Sequence, residues 1–204
     1  MYFLNEVNMF NTFFQSWGAI FFLFNKVFLS ISERASNNTR KKKWLVLSWI
    51  VYLIGLPVWI IVFISESNWI AACVETAGVP AMIIGLYNAL NGHEKELIWL
   101  DYLAKIFVVI GLCVSMYDFG GIASIKQMLE LGIASGFLIG TYCLAKQKQQ
   151  QGYIWFIVGN VTCAILMGME EFFILMIQQI VSLVFVMDAY LVNRRNLSKL
   201  KASL

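Results

Sequence analysis

Long apolar runs recur along the chain, separated by short polar stretches. None shows the strict apolar–polar alternation of a barrel strand, so helices are the remaining way to satisfy a backbone in lipid. The pattern predicts seven spans, over 10–31, 44–65, 69–90, 98–117, 122–145, 153–169 and 172–192. A hydrocarbon core of about 30 Å needs roughly 20 such residues per helix. The first span is the most interrupted, by Asn11, Gln15, Asn25 and Lys26, and a place in the interface is its alternative. The fold class this gives is all-α, a polytopic membrane protein.

Composition agrees. The chain is 60% hydrophobic and 13% charged, whereas soluble domains carry about 25% charged residues. No soluble domain fits between the spans. The N-terminus lacks a basic region and a small-residue cleavage site, so no removable signal peptide is expected. Cys73, Cys113, Cys143 and Cys163 fall in four different spans with no CxxC pairing, and read as small apolar fillers.

Charge sets an expected orientation. Arg34, Arg40, Lys41, Lys42 and Lys43, then Lys95, then Lys146 and Lys148, then Arg194, Arg195, Lys199 and Lys201 all fall on one side of seven spans. Glu6, Glu66, Asp118, Glu170 and Glu171 fall on the other. The N-terminus is therefore expected outside and the C-terminus in the cytoplasm. The net charge of +3 is a topology signal. Basic residues scattered beside helix ends do not make a nucleic-acid footprint.

An odd number of helices suits two repeats and a linker. The expected layout is 3+1+3: a first three-helix repeat over 10–90, a linker helix over 98–117, a second repeat over 122–192, and a basic cytoplasmic tail over 193–204. The loops after the first and fifth spans are both basic. Those after the second and sixth are short and acidic, and a polar residue follows about two turns into the third helix of each triplet, Glu75 and Gln178. A competing echo pairs Glu75, Gly85 and Tyr87 with Glu130, Gly140 and Tyr142.

Ionisable residues deep in a span are costly and read first as functional. Glu75 is the foremost candidate, with no basic residue at i±3 or i±4. Its reading is a counter-charge or acceptor for a polar or cationic solute; the alternative is a protonated or hydrogen-bonded packing residue. Glu130 has Lys126 at i−4, and Asp101 has Lys105 at i+4, so local pairing explains both. Asp188 reads as interfacial. Asn160 lies mid-span beside Gly159 and serves either solute binding or interhelical contact. Gln178 and Gln179 are adjacent, so at least one faces the bundle, where an amide both donates and accepts. Trp44, Trp69, Trp99 and Trp155 suit the aromatic belt. Trp49 and Trp59 lie inside the second span and, with Tyr52, offer flat faces for a heteroaromatic ring, above all a cationic one. Pro57 is expected to kink that helix.

Enzyme signatures are absent. His93 is the only histidine, and HExxH, GxSxG and a P-loop do not occur. Neither catalysis nor a metal or cofactor is expected.

From 122 to 195 the chain resembles the PnuC-type vitamin transporters, nicotinamide riboside carriers related in fold to the SWEET sugar carriers. The likeness rests on Gly152-Tyr-Ile-Trp155-Phe-Ile-Val-Gly-Asn160, a short acidic turn, a last helix and Arg194-Arg195. The family's aromatic residue one turn before Asn is matched by Phe156 and Asn160, with Trp155 one place off. Its Gln in the third helix is Glu75 here, and its GW-type ending is Gly85-Leu-Tyr87. The resemblance implies facilitated diffusion of a nucleoside-like vitamin through seven helices of a trimer, with trapping by a cytoplasmic kinase.

The combined expectation is a bacterial inner-membrane uniporter for nicotinamide riboside or a similar ring-bearing vitamin. Its partners are that solute, the lipid bilayer and two further copies of the chain. Its binding residues are Glu75, Asn160, Gln178 and Gln179, with Trp49, Tyr52, Trp59, Trp155 and Phe156 as stacking faces. The alternative is a membrane-embedded assembly protein without a solute, for which Glu75, Asn160 and Gln178 would be used up in helix contacts.

Overall fold

The computed structural model describes residues 2–65, 69–92, 97–118 and 124–202, and is all-helical over them. The helices are α1 (Tyr2–Arg34), α2 (Asn38–Ser65), α3 (Trp69–Ala77), α4 (Val79–Asn91), α5 (Ile98–Asp118), α6 (Ile125–Ala145), α7 (Gln149–Met169) and α8 (Phe173–Ala202). Seven spans are long and apolar enough to cross a membrane: Phe13–Arg34, Asn38–Ser65, Ala71–Asn91, Ile98–Met116, Ile125–Ala145, Gln149–Met169 and Phe173–Lys199. The chain is a polytopic membrane protein of seven spans. The interrupted first span is a continuous helix.

The third span is two helices. It breaks at Gly78, where Pro80 opens α4. Proline has no N–H for the carbonyl four residues back, so the hydrogen-bond ladder cannot run through this point. Gly78 N–H turns to the Glu75 carbonyl at 3.1 Å instead. Pro57, the expected kink, lies inside a helix that runs on to Ser65.

The chain closes into a ring. Neighbours in order are α1, α2, the α3–α4 pair, α6, α7 and α8, and α8 returns to α1. α5 lies outside, against α3, α4 and α6. Among the described residues α1 does not pack against α3 or α4.

Small residues set the closest approach. A Cβ on Gly136 would lie 2.4 Å from the Gly159 backbone. Gly140 is covered by the Phe156 ring and Gly132 by Thr162. Three glycines at i, i+4 and i+8 thus let α6 and α7 touch almost backbone to backbone, which supplies packing that lipid does not drive. At the neighbouring contact of α2 with α4, the Trp49 indole covers Gly85.

Polar ties collect at the end that carries the basic residues. Glu33 is 3% exposed. It accepts from Lys41 of α2 at 3.1 Å, Tyr153 of α7 at 3.0 Å and Asn193 of α8 at 3.1 Å. Beside it Asp188 takes Arg34 and the Ser30 hydroxyl. Asp101 pairs with Lys105 at 2.8 Å, the expected i,i+4 contact, and also with Tyr142 and Lys146. At the opposite end Lys126 reaches Glu170 at 2.5 Å. Lys126 thereby ties α6 to the α7–α8 turn. Glu66, His93 and Lys95 lie outside the described residues, as do the side chains of Glu6 and Asp118.

Candidate functional site

The break at Gly78 opens one wall of a cavity. Its lining is Tyr52 from α2, Val74 and Glu75 from α3, Gly78, Met82 from α4, and Ile133, Ala134, Phe137, Leu138 and Thr141 from α6. Its non-atom space is about 300 Å³, and the part a water centre can occupy is about 30 Å³. In the conformation described, the cavity has room for a few waters and not for a whole nucleoside. The lining is apolar except for three groups: the Glu75 carboxylate, and the Tyr52 and Thr141 hydroxyls, which lie 3.4 Å apart. Glu75 has no hydrogen-bond partner among the described residues, so its acceptor capacity faces the cavity.

Behind two of these rings sits a cation. Lys26 of α1 is 4% exposed. Its Nζ lies 3.8 Å from the Phe156 centroid, 4.7 Å from Tyr52 and 5.7 Å from Phe137. It donates to Asn25 Oδ1 at 2.9 Å, and Asn25 Nδ2 donates in turn to the Ser48 carbonyl at 3.0 Å. A buried ammonium needs such compensation, because an aromatic face attracts a cation most strongly where water is absent. The opposite charge acting on Lys26 is Glu75, and no direct ion pair joins them. Tyr52 and Phe137 stand in both the cage and the cavity wall.

The expected site residues therefore divide. Glu75 and Tyr52 line the cavity. Trp49 backs it, stacked on Tyr52 at 6.4 Å between centroids. Phe156 is fully buried and meets Phe137 edge-on at 6.1 Å, and its face is given to Lys26. Asn160 is fully buried on α7; its Nδ2 bonds the Phe156 carbonyl at 2.6 Å and its Oδ1 has no hydrogen-bond partner. Trp155 is half-buried, its carbonyl against Gly136. Trp59 packs on Gly18 and Phe63. Gln178 bonds Ser182 on its own helix at 3.3 Å, and the adjacent Gln179 is half-buried. Asn160, Trp155, Trp59, Gln178 and Gln179 are not among the lining residues.

Lys26, Asn25, Phe137 and Thr141 were not singled out as site residues from sequence. Lys26 carried a signal nonetheless. It is a lysine inside a span, the same ground on which Glu75 stood out, and it balances that carboxylate. Phe137 and Thr141 carried none.

A second, smaller cavity lies at the basic end between α4, α5 and α6. There Asp101 is engaged with Lys146, and Asn88 with the Ala145 carbonyl at 2.9 Å. That leaves the Glu75 cavity as the better candidate. Among the described residues no group of histidine, cysteine and acidic side chains is arranged to hold a metal ion. Comparison with protein-family models, curated proteins and solved structures finds no match for the chain.

Proposed function

We propose that the protein is a membrane carrier for a ring-bearing, nucleoside-like solute, with its site at the Glu75 cavity. The observation that carries this is a carboxylate without a hydrogen-bond partner in an apolar cavity, inside a span, at a helix break. Buried carboxylates are costly unless they serve something, and broken spans are where carriers place their sites. Tyr52 and Phe137 supply ring faces and Thr141 a hydroxyl beside it.

The finer reading follows from the resemblance to vitamin transporters. The solute is nicotinamide riboside or a related vitamin, moved by facilitated diffusion and trapped by phosphorylation. The carrier works as a trimer in a bacterial inner membrane, N-terminus outside and C-terminus inside. The ties around Glu33 and Asp101 support a shape closed at the basic end. A wider cavity is then a second conformation, reached when those ties part.

The test is a titration of the purified protein with nicotinamide riboside, thiamine, riboflavin and uridine, read by tryptophan fluorescence. Trp49, stacked on Tyr52, is the reporter. Saturable binding of one solute, lost in Glu75→Gln, is expected. Binding to none of them, or binding unchanged by Glu75→Gln, overturns the reading. The other reading is an assembly protein without a solute. It is favoured by Asn160 and Gln178, whose amides bond within their own helices.

A further inference from the structure

We propose that Lys26 sets the charge of the solute: the site takes a ring-bearing solute of no net charge and discriminates against its cationic analogue. This rests on the solute-site reading of the Glu75 cavity. A lone buried carboxylate favours a cation, which is what Glu75 suggests when read by itself. Lys26 reverses that. As an ammonium and a carboxylate, Lys26 and Glu75 together sum to zero charge. A solute cation therefore enters a site whose counter-charge is already matched.

The aromatic faces act in the same direction. Phe156 gives its face to the Lys26 ammonium at 3.8 Å and is itself fully buried. Tyr52 and Phe137, the two cage rings that also line the cavity, already have that ammonium at 4.7 and 5.7 Å from their centroids. A ring polarised by one cation is a poorer partner for a second, and the two cations repel across a medium that screens weakly. An uncharged heteroaromatic solute suffers neither penalty. It stacks on Tyr52 or Phe137 and donates a hydrogen bond to Glu75. On this basis nicotinamide riboside, a cation, ranks below an uncharged relative.

The experiment uses a matched pair: nicotinamide, uncharged, and 1-methylnicotinamide, its cation methylated on the ring nitrogen. Equilibrium binding of each, radiolabelled, is measured on the full-length protein in nanodiscs. Lys26→Met keeps an unbranched apolar chain in the cage and leaves Glu75 unmatched. It is expected to bind the cation at least tenfold more tightly than the wild type does. That gain should vanish in Lys26→Met/Glu75→Gln. Lys26→Gln, which keeps a polar end for Asn25, serves if Lys26→Met does not fold. Folded variants that bind the cation no better than wild type overturn the proposal, whatever the wild type does with nicotinamide. Loss of wild-type solute binding or transport would count against the carrier instead, so the two failures are distinguishable.

Discussion

The Lys26 ammonium lies 3.8 Å from the centroid of the Phe156 ring, with neither residue appreciably exposed. This contact joins α1 to α7 across the middle of the ring of helices. Phe156→Leu keeps apolar volume and removes the aromatic face. It should lower stability by about 1–2 kcal/mol, the strength of a desolvated cation–π contact. In a Lys26→Met background the same change should cost measurably less, and a double-mutant cycle on thermal unfolding in detergent reads the difference. Equal costs in both backgrounds would show that the ring does not compensate the cation.

The glycines of α6 give a graded prediction. A methyl at Gly136 meets the Gly159 backbone, which has nowhere to go, whereas at Gly132 it meets the Thr162 side chain. Gly136→Ala should cost about 1–3 kcal/mol of stability, as overpacking does, and Gly132→Ala less. The order of the two melting temperatures checks this, and the reverse order contradicts the close crossing of α6 on α7.

Much of the architecture was legible because spans are written in long apolar runs. All seven are found, with ends displaced where polar residues continue a helix, as at Asn38–Lys43 in α2 and Arg194–Lys199 in α8. The break in the third span is not legible in this way: Gly78-Val-Pro80 and Gly55-Leu-Pro57 share one spacing, yet only the first interrupts its helix. The site was half legible. Glu75 and Tyr52 stand on its wall because depth in a span is a sequence property. Which residue on another helix answers Glu75 is not, since Lys26 lies 49 positions away in a span read as doubtful for containing it. The arrangement around Asn160 depends on rotamer and helix rotation, which spacing alone does not fix.

Glu33 should prove the stronger anchor at the basic end. Replacing it by Ala strands Lys41, Tyr153 and Asn193. A cost of about 3–5 kcal/mol is expected, as for a broken buried ion pair. Arg34→Ala removes the Asp188 ion pair from a side chain that is 64% exposed and screened by water, so a much smaller loss is expected. Similar losses from the two substitutions would contradict this ranking.

Asn160→Ala and Gln178→Ala should leave solute affinity nearly as it is, because neither side chain lines the cavity. The titration described for Glu75→Gln measures this. A collapse of binding in either variant would move the site toward α7 or α8.

The central claim is that solute passes through the cavity bounded by Glu75, Tyr52 and Thr141. Uptake into proteoliposomes tests it most directly, comparing the wild type with Glu75→Gln for nicotinamide riboside, thiamine, riboflavin and uridine. Saturable wild-type uptake of one of these, with the variant reduced to the level of protein-free vesicles, is expected. Uptake equal in the two proteins, or no wild-type uptake of any of the four above protein-free vesicles, would contradict it.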